Sequence, residues 1–537
     1  MSLQRAWLRV ASKPAWVLGL IAVAVSILVQ PGEMESIDTT RRLQATHSFW
    51  TDVPAVLPAD YPSFGLIGRG GRIYPWYGVG QSLLMLPSDI VITSAIKLMP
   101  GYGKRKDSGT GLRILFVSTV TSTLVCVAGV LTAFQFLALF GFSVGQRIAG
   151  ALTLLLATTF LHYTQNLMEN DLMTLLTLVG FTFQFKWLRS GSARMLFYGS
   201  TALGANVLVR LTTAMDALAC AVFLAAVLLL EKAPGQQLRR RLVQFCQIAL
   251  PVYTLFFLLD RLYHFLRFGS FFDTYLSIED VQWRALYPGL PQTFPFNTPF
   301  WVGFWGPLLS PEKSFLEFEP LSALTLLLTV SMWRRFSVPI RAFILSNALA
   351  LLGYIIFYAR FFAWNSDSAW GDRYITTPLH LLGLITVPLL MQYWPLLRPA
   401  VRRAGVGIAG AAVVVQALSL VLWIATEVNQ YRAWSGWRGW ETWPQSTSRT
   451  PVFVLGLRIK NIVAIATGNM DKWGLRVPIN GLPHTETPYF MPFLLRAENL
   501  APHWLCSLLV AGWFVLLVAT LMLIAWTFSQ IRHNRWA

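Results

Sequence analysis

At 537 residues, 55% hydrophobic and only 13% charged, with a mean hydropathy of +0.52, this chain is too apolar for a soluble globular domain and reads as an integral membrane protein. A formal charge of +18 would suggest nucleic acid in a soluble protein. Here the basic residues stand in loop clusters such as Arg239-Arg240-Arg241, Arg334-Arg335 and Arg402-Arg403, each beside an apolar run, so they read as orientation signals and no nucleic-acid partner is expected.

The first apolar run, 16–29, follows a basic segment and has no small-x-small cleavage site after it, which makes it a retained signal anchor. The long segment 31–103 comes next and opens with Glu33, Glu35, Asp38, Arg41 and Arg42. Carboxylates beside guanidiniums at a membrane surface can act as a general base next to an anion clamp, and desolvation at the lipid boundary is expected to raise the base's pKa. Residues 82–99 are apolar enough to cross, but are expected to lie along the outer surface as a helix interrupted at Pro87, Ser88 and Asp89. The cluster Lys104-Arg105-Lys106 after them argues for crossing.

Further apolar runs follow at 114–140, 148–161, 172–188, 196–211, 217–230, 243–259, 321–333, 342–358, 374–390, 405–426 and 504–528. The expectation is an all-α polytopic fold of about twelve spans with both termini cytoplasmic. Several runs are shorter than the roughly 20 residues of a full span, so some helices should be tilted or broken. Threaded this way, every acidic residue except Glu231 falls outside, and the net charge of +18 belongs to the inner loops. Those loops are short and contain no P-loop or Rossmann glycine pattern, so chemistry is expected on the outer face, in the long segments 31–103, 260–320 and 427–503. Trp434, Trp437, Trp440 and Trp443, in the last of these, read as an interfacial helix or a sugar-stacking platform. Arg210 and Asp216 can pair as a structural bridge within the membrane. Cys126, Cys220, Cys246 and Cys506 all fall in apolar runs and read as packing residues. The seven histidines form no cluster at ligand spacing, although His484 and Glu486 could contribute to a metal site; no metal and no cofactor is assigned.

An acid soon after the first span, followed by Gly71-Arg72-Ile-Tyr74-Pro-Trp-Tyr77-Gly78-Val-Gly80-Gln81, resembles the bacterial GT-C class of membrane glycosyltransferases, relatives of protein O-mannosyltransferases and lipid A aminoarabinose transferases. His162-Tyr163-Thr-Gln-Asn-Leu-Met-Glu169, Val209-Arg210, Phe268-Gly269-Ser270, Leu309-Ser310-Pro311-Glu-Lys313 and Trp370-Gly371-Asp372-Arg373-Tyr374 continue the resemblance in order. It implies a catalytic core over 1–395 and C-terminal helices over 396–537, in a bacterial cytoplasmic membrane. It further implies inverting transfer of a sugar from a polyprenyl-phosphate donor, as co-substrate, to a hydroxyl of a glycan, lipid or protein acceptor at the extracytoplasmic face. By resemblance Asp38 is the general base, with Glu35 as its rival because Asp38 is followed by Thr39 rather than a second acid. Glu169, with Asp171, matches the second acidic position. Arg373, Arg210 and Arg72 would hold the donor phosphate as fork-shaped donors. Arg41, Tyr74, Tyr77, Gln81 and His162 complete the expected substrate-binding set. The competing reading from another class is a multi-spanning transporter or lipid-linked oligosaccharide flippase.

Overall fold

The computed structural model describes residues 13–34, 36–99, 106–366, 369–434, 453–477 and 486–533. Helices dominate, and the one sheet among the described residues is a two-stranded antiparallel ribbon, Leu66–Ile67 with Ile73–Tyr74, so the expected all-α architecture carries a small addition. Each of the twelve apolar runs falls on a helix. Among the described residues seven helices are long and apolar enough to cross a membrane: Gly111–Ala138, Leu211–Leu230, Gly235–Phe268, Val338–Tyr358, Thr376–Leu396, Pro399–Val421 and His503–Arg532. An eighth span arises if Val144–Ala157 and Phe160–Asn166, bent by 54° between them, count as one.

The remaining runs fall short for physical reasons. Pro14–Val29 has only 16 residues and Leu321–Met332 only 12. Glu169–Ser190 is long enough, but it begins on buried Glu169, Asn170 and Asp171 and is packed among neighbours, so its surface need not be apolar all round. Deep in the bundle, Phe136 meets Phe343 at 5.3 Å and Phe181 meets Phe223 at 5.6 Å, an aromatic knot that ties four helices together. The C-terminal helix returns to the first: Trp513 Nε1 donates to Leu28 O at 2.8 Å.

The three long segments 31–103, 260–320 and 427–503 contribute the helices of a cap. From the first come the helices Ile37–Ser48 and Gly80–Lys97, which pack on each other. Gly80–Lys97 runs unbroken through Pro87, contrary to the expected interruption. The reason lies at Asp89, which is buried and accepts hydrogen bonds from Trp50 Nε1 and His47 Nδ1, both at 2.9 Å, so the polar residue locks one helix to the other instead of ending it. The second segment supplies Tyr275–Leu286 and Phe300–Leu309; the third supplies Ala425–Trp434 and Val454–Ala466. Of the tryptophan series only Trp434 is among the described residues, and Trp437, Trp440, Trp443 and His484 lie outside them.

Candidate functional site

A cavity of about 1150 Å³ opens beneath this cap. Its lining comes from all three long segments and from the turns at Glu169, Arg210 and Arg373, and includes no residue of the short basic loops. At one wall stand two carboxylates and three arginines.

Asp38 lies in the first turn of Ile37–Ser48, where the helix dipole favours a carboxylate. Tyr77 Oη donates to its Oδ1 at 2.7 Å, and Arg373 Nη1 donates to its Oδ2 at 2.6 Å. Burial pushes the Asp38 carboxyl up, but Arg373 and then Arg42 outweigh it and hold the pKa below the ordinary value. The rise anticipated from a lipid-boundary carboxylate is thus reversed by its cationic neighbours.

Glu169 begins its helix after a turn in which Leu167 takes the left-handed conformation, φ 50°. Two side chains hold that turn: Gln81 Nε2 donates to Leu167 O at 2.6 Å and Thr39 Oγ1 at 3.3 Å. The Glu169 carboxylate is 1% exposed and sits between two guanidiniums, 2.8 Å from Arg42 Nη1 and hydrogen-bonded by Arg210 Nη2. Arg42 also lies over the Tyr77 ring at 4.2 Å, so a single side chain links the Asp38 and Glu169 halves of the cluster.

The supporting loops are tightly placed. Gly78 and Gly80 pass so close to the end of Ala193–Val209 that a Cβ at Gly78 would stand 2.4 Å from Leu208 O and one at Gly80 2.7 Å from a Val209 methyl. Only glycine lets the Tyr77 loop approach Arg210. Arg267 donates to Pro75 O and Tyr77 O from the other side. The Arg373 loop is held by Asn170 Nδ2 on Arg373 O at 2.6 Å, and by Lys313 Nζ on Ala369 O at 2.6 Å and Gly371 O at 3.2 Å.

The cavity therefore brings together Asp38, Tyr77, His162, Glu169, Arg210 and Arg373 from the sequence-derived set. Others lie elsewhere. Arg41 turns outward to Asp60 at 2.5 Å; Arg72 is exposed; Tyr74 meets the edge of Phe268; Gln81 is buried behind the lining, on Leu167 O; Asp171 is buried and accepts from Thr164 Oγ1 at 2.8 Å. None of these five lines the cavity. Glu35 is outside the described residues. Arg210 pairs with Glu169 rather than Asp216, which instead accepts hydrogen bonds from Thr177 Oγ1 and Tyr354 Oη. Tyr358, Tyr374 and Glu279 line the cavity and were missed as site residues, and Arg42, read in the first-segment anion clamp but left out of the substrate-binding set, lines it too. For Arg42 a signal existed, since it follows Asp38 by four residues on one helix, but Arg41 at three residues satisfies the same spacing, so spacing alone does not choose between them. Among the described residues no group of three or more His, Cys, Asp or Glu could hold a metal ion.

No family model and no curated protein matches the sequence. Among solved structures the chain is similar to ArnT from Cupriavidus metallidurans, crystallised with undecaprenyl phosphate bound, at 13% identity and a TM-score of 0.39, over 89% of this chain and 83% of that one.

Proposed function

We propose that this protein is a membrane glycosyltransferase that moves a sugar from a polyprenyl-phosphate carrier to an acceptor hydroxyl at the extracytoplasmic face, with inversion. The observation that carries the reading is the ionic cluster on the cavity wall: Arg42, Arg210 and Arg373 against Asp38 and Glu169, one positive charge in excess. Arg373 Nε is buried and finds no acceptor among the described residues, leaving a donor for a further anion.

Both Asp38 oxygens are engaged in this arrangement, by Tyr77 and Arg373. A donor phosphate that draws Arg373 toward itself frees one oxygen of an ionised carboxylate beside the acceptor. The acceptor hydroxyl then gives its proton to Asp38 and its oxygen bonds to the anomeric carbon. The bond from that carbon to the phosphate oxygen breaks, with its electron pair leaving on the polyprenyl phosphate. Fixed guanidiniums stabilise that charge without a general acid. Attack opposite the leaving group inverts the centre. In this reading the twelve helical runs all cross, the termini are cytoplasmic and the cavity faces outward; the division into 1–395 and 396–537 is proposed on the same footing.

The test uses purified protein, a labelled polyprenyl-phosphate sugar and separate measurement of donor binding. Asp38→Asn is expected to bind donor and lose about 10² to 10⁴-fold in turnover. Arg373→Ala is expected to weaken donor binding by roughly 1.5 to 3 kcal/mol, the worth of a hydrogen bond to a charged group. An Asp38→Asn protein with parental turnover would remove the mechanism, and carrier movement without transfer would favour the transporter.

A further inference from the structure

Glu279 is a carboxyl on the cavity wall that the mechanism above does not use. It lies in Tyr275–Leu286, a helix opened by a capping box at Thr274, whose Oγ1 accepts from Ser277 N at 3.3 Å. The neighbouring acid, Asp280, pairs with Arg284 at 2.8 Å, one position round the helix. Glu279 is 5% exposed, lines the cavity, and makes no hydrogen bond or ion pair among the described residues.

Its surroundings fit an uncharged polar ligand. Tyr275, Glu279 and Trp283 succeed one another at four-residue spacing and all line the cavity, so they form one stripe. Trp283 stacks on Phe294 at 5.7 Å and 15°, and Phe294 on Phe362 at 5.2 Å and 24°, a rigid apolar wall. Tyr275 lines the same cavity as Arg210, Tyr358 and Tyr374, and Arg210 stands over the Tyr374 ring at 5.3 Å. The stripe and the ionic cluster therefore face one cavity. One helical turn separates Tyr275 from Glu279, about 6 Å, comparable to the width of a sugar ring. Burial, and secondarily Asp280, push the Glu279 carboxyl up to about 8, so near neutral pH it is mostly protonated and can both donate and accept.

We propose that Glu279 is a specificity-determining residue that receives an uncharged hydroxyl of the donor's sugar ring, with Tyr275 and Trp283 flanking it as apolar walls. This rests on the transferase reading above: phosphate held by the arginines places the attached sugar along the stripe. A site built to hydrogen-bond a hydroxyl discriminates against a substrate that lacks it, because its own polar group is then left unpaired.

The experiment compares the parent with Glu279→Ala, Glu279→Gln and Glu279→Met. Undecaprenyl phosphate alone is one ligand. The donor is whichever of the undecaprenyl-phosphate glucose, galactose, mannose and arabinose conjugates the parent transfers, together with its monodeoxy series. Glu279→Ala is expected to raise donor KM roughly 3- to 10-fold, the worth of one neutral hydrogen bond. Glu279→Gln should fall between the two, and undecaprenyl phosphate should bind equally to all. With one monodeoxy donor the parent and Glu279→Ala should become equal. A penalty spread evenly over the monodeoxy series, an unchanged KM in Glu279→Ala, or weakened binding of undecaprenyl phosphate would each overturn the proposal. Glu279→Met keeps the volume and reads the same loss if the alanine variant does not fold. A parent that transfers none of the conjugates overturns the transferase reading itself, and Glu279's role with it; an active parent with an indifferent Glu279→Ala overturns only the latter.

Discussion

Adjacent arginines at 41 and 42 show how far one position along a helix changes a residue's work. Arg42 is 4% exposed and bound to Glu169, while Arg41 faces Asp60 near the surface. Arg41→Ala is expected to cost within about 1 kcal/mol of stability, as for a surface pair, and to leave donor binding alone. Arg42→Ala removes one of two cations from a buried carboxylate and is expected to cost roughly 3 kcal/mol or more, with donor binding weakened. Thermal unfolding and donor binding on the two variants check this contrast; equal effects would deny Arg42 its linking position. Asp38 gives a pH prediction of defined sign. Its folded pKa is depressed below 3.8, so the stability from its pairing is fully present above that value and is lost as pH falls through the lower, folded one. The difference in melting temperature between the parent and Asp38→Asn should therefore stay constant from neutral pH down to about pH 4, and shrink only below it. A difference that titrates between pH 5 and 7 would contradict the dominance of Arg373 and Arg42 over burial.

Elements of the cap depend on single polar contacts between segments far apart in sequence. Val454–Ala466 is held to the end of Pro399–Val421 by Arg458, 0% exposed, whose guanidinium donates to Glu427 through Nε at 2.7 Å and Nη2 at 2.8 Å, and to Leu422 O at 2.8 Å. Removing one partner of such a buried pair leaves an uncompensated charge, so Arg458→Ala should destabilise by about 3 to 5 kcal/mol. The check is a thermal melt in detergent; a shift no larger than that of Arg41→Ala would mean the pair is not what fixes the helix. Contacts of this kind explain what could be read in advance. The helices under the apolar runs were legible because each announces itself in composition, though not which of them are long enough to cross, and the first-turn placement of Asp38 and Glu169 was legible from their motifs. Illegible were the continuity of Gly80–Lys97 through Pro87, which depends on His47 and Trp50 reaching Asp89, and the inward face of Tyr275–Leu286, which buries Glu279 in the cavity wall and leaves Asp280 half-buried on Arg284. Both depend on pairings across the fold that periodicity does not encode.

On the scale of the whole molecule, charge and cavity divide in the same direction. The cavity is lined by the three long acid-bearing segments and by none of the short basic loops. Within those loops Glu231, their only acid, is paired with Arg189 at 2.7 Å, so the excess of positive charge on that side stays uncompensated elsewhere. Basic residues near the ends of spans hold a polytopic chain with that side in the cytoplasm. Under the proposed function the cavity then opens outward, where polyprenyl-linked sugars on the outer leaflet would reach Arg373. Single cysteines at Asp52, on the cap, and at Gln236, between two basic clusters, report this directly; both positions are exposed. They are introduced into a chain whose Cys126, Cys220, Cys246 and Cys506 have been replaced, since Cys246 is itself exposed. An impermeant thiol reagent on intact cells is expected to label Asp52→Cys alone, and Gln236→Cys only after the membrane is opened. Labelling of Gln236→Cys in intact cells would invert the protein, put Asp38 and Glu169 on the cytoplasmic side, and remove the extracytoplasmic reaction even if the cluster binds a phosphate.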